Sequence, residues 1–180
     1  MRYVAFVFAA VAVATAAVFL STPPAAEAAG GGKVKKCGGG RIFLNADEKR
    51  IFSLHNRERR ERGIRRLCVH PDLQRAATAH SKDMIRRDYF SHNTKGRNES
   101  ACERVRRFGY RYRTCAENIA WGSGQNGEPD SIMRSWMGSN GHRANILNGK
   151  LHEIGIGAYK GNFKGTQDAT MYTADFGTRR

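Results

Sequence analysis

Acidic residues are scarce in this sequence. Only 16 Asp and Glu stand against 31 Lys and Arg in 180 residues, a formal net charge of +15. That imbalance points away from a cationic partner and toward a polyanionic surface or high solubility. No serine sits in a GxSxG elbow. No HExxH zinc-protease helix occurs. The four cysteines contain no CxxC pair, the spacing expected of structural zinc. No second apolar stretch follows the one at the N-terminus, and there is no internal repeat. Aromatics are thin in the basic half (Phe90, Phe108, Tyr110, Tyr112), too thin for stacked bases, so nucleic acid is not expected as a partner.

What is present reads as an exported globular protein. Hydrophobic residues make up 40% and charged residues 26% of the chain, a composition that excludes wholesale disorder. Arg2, the uncharged run Tyr3 to Leu20, the break at Pro23-Pro24 and the triplet Ala26-Glu27-Ala28 form a secretory signal, residues 1–28. A membrane anchor is the alternative, since the run is at the lower edge of spanning length. The prolines and the cleavage triplet favour removal. A soluble, extracellular monomer of about 150 residues is expected, enough for one domain with a real core.

In an oxidising compartment an even cysteine count implies disulfides. Three pairings are open. Cys37–Cys68 and Cys102–Cys115 are favoured: the first ties a Gly-rich leader to the body, the second closes a short loop around Phe108-Gly109-Tyr110.

Residues 29–43 read as a flexible Gly/Lys leader, and 44–180 as the domain. A first helix starts near Asn45, with Glu48 completing a cap and Gly63 ending it. Ile51, Leu54 and His55 face inward; Arg57, Arg59, Arg60 and Arg62 crowd the outward face. A second helix opens at Pro71 and runs to about Asp88, with Leu73, Ala76, Ala77, His80 and Met84 at helical spacing. A third is short and ends at Gly109, a fourth spans Pro129 to Met137, and a turn follows from His142 to Leu147. Two alternating strands, 154–158 and 171–176, close the chain around a Gly-rich loop from Lys160 to Gln167. Helices first and an antiparallel sheet late give an α+β class.

The basicity belongs to the helical half. Between Arg41 and Cys115 there are 20 Lys/Arg against 9 Asp/Glu, and from Ala116 onward 7 against 6. A solvated arginine surface explains this, as does adhesion to an anionic cell-envelope polymer.

Five segments carry a resemblance: LHNRERRERG (54–63), FSH (90–92), AENIAWG (116–122), SWMGSNGHRANIL (135–147) and EIGIG (153–157). Together, in this order, they resemble the CAP superfamily of cysteine-rich secretory, antigen 5 and pathogenesis-related proteins, in its bacterial SCP-like branch. The resemblance spans about 44–177. It implies a three-layer α-β-α sandwich with a mainly antiparallel sheet, and a cleft lined by two His and two Glu. By motif these are His92, His142 and Glu117, with Glu103 as the fourth member and Glu99 as the fallback. His55 and Asn56 correspond to a fold-holding pair. Asn118 reads as a structural hydrogen bonder, His80 as packing and Glu153 as a strand-edge charge.

Two imidazoles facing one cleft can hold zinc or another divalent metal, in an open and exchangeable site with carboxylates behind the ligands. No cofactor is required. Without metal, each Glu is expected to pair with a His, raising the His pKa and lowering the Glu pKa. The family fixes no reaction. The leading expectation is a secreted binding or defence-type module for a small ligand, lipid or glycan. A metal-dependent hydrolase on the same tetrad, with Glu103 or Glu117 as base, is the alternative. A polyanion-adhesive protein is the second alternative. Whether the protein is an enzyme stays open at this point.

Overall fold

The computed structural model describes residues 30–180; the expected signal segment, 1–28, lies outside the described residues. Helix α1, Ala46–Arg60, starts where the sequence says it should. The Asn45 side chain accepts from the Glu48 N–H at 2.9 Å, and the Glu48 carboxylate accepts from the Asn45 N–H at 2.9 Å. These reciprocal bonds satisfy two otherwise orphaned donors. Helix α2, Pro71–Arg86, begins with proline at its first position, where no N–H is needed. Helix α3, Ala101–Arg107, is capped by Ser100 and stopped by Gly109, whose φ of +102° suits glycine. Helices α4, Pro129–Gly138, and α5, Asn140–Ile146, follow.

Three short strands flank α1: β1, Gly32–Lys35, and β2, Arg41–Leu44, before it, and β3, Cys68–Val69, after it. Strand β4 is Tyr112–Gly122, β5 is Glu153–Phe163 and β6 is Thr166–Arg179. The main sheet runs β3-β5-β6-β4, with only the β3–β5 pair parallel. Ile51, Leu54, Trp136, Ile146, Ala174 and Phe176 form the core between α1, α4, α5 and one face of the sheet. Leu73, Met84, Val105, Ile119 and Met171 fill the other side, beneath α2 and α3. The architecture is therefore the expected α-β-α sandwich. Gly155 and Gly157 set its thickness on the α2 side: a Cβ at either would collide with the backbone of Leu73 or Ala77. Among the described residues no helix is long and apolar enough to cross a membrane.

Four expectations change. Residues 32–44 are not a flexible leader but an antiparallel hairpin, β1 on β2, tied down by the Cys37–Cys68 disulfide and by the Cys37 N–H donating to Val69 O at 2.9 Å. Strand β4 was not foreseen, because Glu117 and Asn118 break the apolar alternation that marks a strand. The closing strands run longer than expected, meeting at a two-residue turn, Lys164-Gly165, with positive φ at both. Arg59 does not face outward. It is fully buried, and its guanidinium donates to the carbonyls of Arg65, Ile146, Asn148 and Leu151. Both favoured disulfides, Cys37–Cys68 and Cys102–Cys115, are present, with no free cysteine among the described residues.

Candidate functional site

The site is organised by two consecutive residues of edge strand β4. Successive side chains of a strand point to opposite faces. Glu117 therefore reaches the α2–α3 side, and Asn118 reaches α5. Glu117 accepts from His92 Nδ1 at 2.7 Å through one carboxylate oxygen, and from the Arg104 guanidinium through the other. Asn118 donates to His142 O at 3.0 Å and accepts from Asn145 Nδ2 at 2.9 Å. One pair of neighbours thus holds His92 by its ring and His142 by its helix.

His92 lies in the loop after α2, and that loop is fixed from below. His80 Nε2 is 2.9 Å from Ser91 O, and Arg104 donates to His92 O at 3.1 Å and to Thr94 Oγ1 at 3.3 Å. The Glu117 side chain is 2% exposed, whereas that of His92 is 54% exposed. A carboxylate only accepts, so His92 Nδ1 carries the proton and Nε2 is the ring nitrogen that Glu117 does not use. His80 also approaches Glu117, with Nε2 3.9 Å from the carboxylate. Burial pushes the His80 pKa down to about 4, so this imidazole is neutral at pH 7.

His142 differs from expectation. No carboxylate partner raises its pKa. Burial, followed by repulsion from His92, lowers it below the ordinary value of 6.5. Both factors keep this imidazole neutral, the form that donates a lone pair.

Glu103 is not brought to this group. It sits at the third position of α3, fully exposed, and accepts from the Ser100 N–H at 2.8 Å and hydroxyl at 2.7 Å in the helix cap; those bonds hold its pKa down. Glu99, the fallback, pairs with Arg107 at 2.5 Å and with the Thr94 hydroxyl at 2.9 Å, and Arg107 is the main reason its pKa is lowered. One step along α3 turns the side chain by about 100°, so Arg104, not Glu103, points inward. Glu153 is likewise no strand-edge charge: it is buried, accepting from the Tyr110 hydroxyl at 2.7 Å and from Arg179.

Three members of the cluster escaped the sequence reading. Arg104 was masked by its acidic neighbour and His80 by its apolar helix face. Asp175 was hidden in a hydrophobic strand. Asp175 is fully buried opposite Glu117, and neither of its oxygens has a hydrogen-bond donor. Burial, and then the neighbouring Glu117 charge, raise its pKa well above the ordinary range.

A divalent metal at this cleft would have the imidazoles of His92 and His142 as its ligands. Nδ1 of His92 is locked on Glu117, the usual carboxylate backing for a ligating histidine, and Nε2 faces outward. Among the described residues no third protein donor joins them. Among the described residues the sole group of three donor atoms within 4.8 Å is Cys37, Cys68 and Glu153, whose sulfurs are bonded to each other.

Residues 52–176 match the cysteine-rich secretory protein family model. The chain is 37% identical over 114 residues to the YkwD protein of Bacillus subtilis (strain 168), covering 63% of this chain and 43% of that one. An extracellular SCP-domain protein of Bacillus anthracis superposes with a TM-score of 0.64 at 25% identity, over 79% of this chain and 47% of that one. An outer surface protein of Borrelia burgdorferi superposes at 0.63 with 19% identity, over 83% of this chain and 99% of that one. The chain spans less than half the length of the two Bacillus proteins. With its motifs in order, its sandwich fold and most of its length matched, the chain belongs to the cysteine-rich secretory protein (CAP) family.

Proposed function

We propose that the protein is an extracellular binding module whose cleft presents His92 and His142 to a ligand, with a divalent metal such as zinc held between imidazole nitrogens. One observation carries the preference for binding over hydrolysis: both oxygens of Glu117 are engaged, by His92 and by Arg104. A carboxylate base must reach a water; Glu117, 2% exposed, is shielded from it, and Glu103 is spent on a helix cap. A two-imidazole site without a third protein donor is weak and exchangeable, which suits capture better than turnover. An open depression of ≈ 680 Å³, lined by Tyr89, Ser91, Asn93, Thr94, Lys95 and Arg97, adjoins the His92 loop and gives a small ligand room. Export is supported by two disulfides, which persist outside the cytoplasm, and by the extracellular description of the Bacillus anthracis relative.

The test is zinc titration by calorimetry at pH 7.5 and pH 5.5, with His92→Ala and His142→Ala as controls. Binding that weakens at the lower pH and disappears in both variants supports the reading. Equal zinc affinity in wild type and both variants removes the metal from it. Peptide or ester turnover abolished by His92→Ala and restored by metal replaces it with the hydrolase.

A further inference from the structure

The β1–β2 hairpin lies before residue 52, outside the stretch that matches the family model. Family membership therefore does not explain it. It costs the chain a disulfide and an ordered turn. Its inner face, Val34, Ile42 and Leu44, packs on the core. Its outer face is a different surface. Residues i and i+2 of a strand share a face, and directly paired residues share it across the ladder. The register pairs Lys33 with Phe43 and Lys35 with Arg41, so these four side chains stand together, and all four are exposed.

Two features separate this face from the general basic surface. On the helices several cations are compensated: Arg50 pairs with Asp130, Arg62 with Glu58, Arg75 with Asp72 and Arg107 with Glu99. Among the described residues no carboxylate pairs with Lys33, Lys35 or Arg41. The second feature is Phe43. At 63% exposure it is the most exposed large hydrophobic side chain among the described residues, and it stands among the three cations. A soluble anionic polymer needs the charges but gives the ring nothing to enter. A bilayer with anionic headgroups takes both: phosphates for the cations and the acyl boundary for the aromatic. The Cys37–Cys68 bond and the backbone link to Val69 hold the face in shape before contact, which lowers the entropy lost on docking.

We propose that the outer face of the β1–β2 hairpin, Lys33, Lys35, Arg41 and Phe43, is a docking surface for an anionic lipid bilayer. This site is separate from the His92–His142 cleft and does not depend on the metal reading.

The experiment is vesicle co-sedimentation with protein exported by an expressing host, its N-terminus read by mass spectrometry. Phosphatidylglycerol/phosphatidylcholine vesicles are compared with pure phosphatidylcholine. The variants are Lys33→Gln/Lys35→Gln/Arg41→Gln, Phe43→Ser, and a control of equal charge loss, Arg60→Gln/Arg66→Gln/Arg86→Gln. Circular dichroism and melting curves check that each folds. Each cation at an anionic surface contributes about fivefold in partitioning, so the hairpin triple variant should lose about a hundredfold. Phe43→Ser should lose several-fold, the control much less, and pure phosphatidylcholine should not bind. Equal losses in the two triple variants would reduce the effect to net charge and overturn the proposal. So would Phe43→Ser binding like wild type while polyphosphate competes the protein off the vesicles, which would make the partner a soluble polyanion.

Discussion

Glu117 and Asp175 face each other across the β4–β6 ladder, two carboxyl groups side by side in the interior. Glu117 has His92 and Arg104 as partners, while Asp175 has no donor at all. Two adjacent charges in a low-dielectric site cannot both be kept, so one carboxyl stays protonated. The unpaired and fully buried one, Asp175, is the one whose pKa is raised, by burial first and then by the Glu117 charge. The pair thus ties the interior of the sheet to the loop that carries His92.

Asp175→Asn should stabilise the protein at neutral pH. The groups facing Asp175 are Glu117, Arg104 and, through Glu117, His80. Its folded pKa is raised above the unfolded value, so its stabilising influence is full below the unfolded pKa and is lost as pH rises toward the folded one. Asn keeps a donor toward Glu117 and does not titrate. The two proteins should have similar urea midpoints near pH 4. Above that the gap should widen by up to about 1.4 kcal/mol per pH unit until the folded pKa is reached. Parallel stability curves from pH 4 to pH 8 would show that Asp175 is not the proton-bearing group.

Arg104→Met should cost about 3–5 kcal/mol, because it strands the Glu117 charge in the interior. It also frees the His92 carbonyl and the Thr94 hydroxyl that Arg104 holds. Adding Glu117→Gln to Arg104→Met should recover part of the loss. A double-mutant cycle in urea reads this coupling, and strict additivity would show that the pair is not energetically linked.

Arg59→Met should destabilise by several kcal/mol, although an unbranched stem is kept. Four carbonyls, from the α1 end and from the segment between α5 and β5, lose a charged donor together. Hydrogen bonds to charged groups are worth roughly 1.5–3 kcal/mol each and are not additive. Thermal melting is the measurement, with Arg60→Met as an exposed comparison expected to change by no more than about 0.5 kcal/mol.

Replacing Cys37 and Cys68 together by Ser should lower stability by about 3 kcal/mol through the loop they close. The effect should be local first. Amide exchange at Val34 and Phe43 should accelerate while β5 and β6 stay protected, because the hairpin contributes little to the main sheet. Unchanged exchange in the hairpin would mean that its strand pairing holds it without the disulfide.

Local chemistry made part of this protein legible in its sequence. Asn45 with Glu48 announces a helix start because the cap is closed within four residues. Pro71, Gly109 and Pro129 mark boundaries because backbone dihedrals are local quantities. The even cysteine count favoured both disulfides, and the ordered motifs carried the family and its sandwich. What depends on contacts distant in sequence was not legible. Arg59 looked like one more surface arginine until α5 and β5 brought carbonyls to it. The leader looked flexible until Cys68 anchored it. The cluster shows the same limit. His92, Glu117 and His142 could be picked from their motifs, but Glu103 gave way to Arg104 because the helix cap decides which neighbour faces inward. Asp175 became a partner of Glu117 only through the strand register. Sequence specifies turns, caps and covalent links; the pairing of buried charges is settled where strands and helices from separate parts of the chain exclude water together.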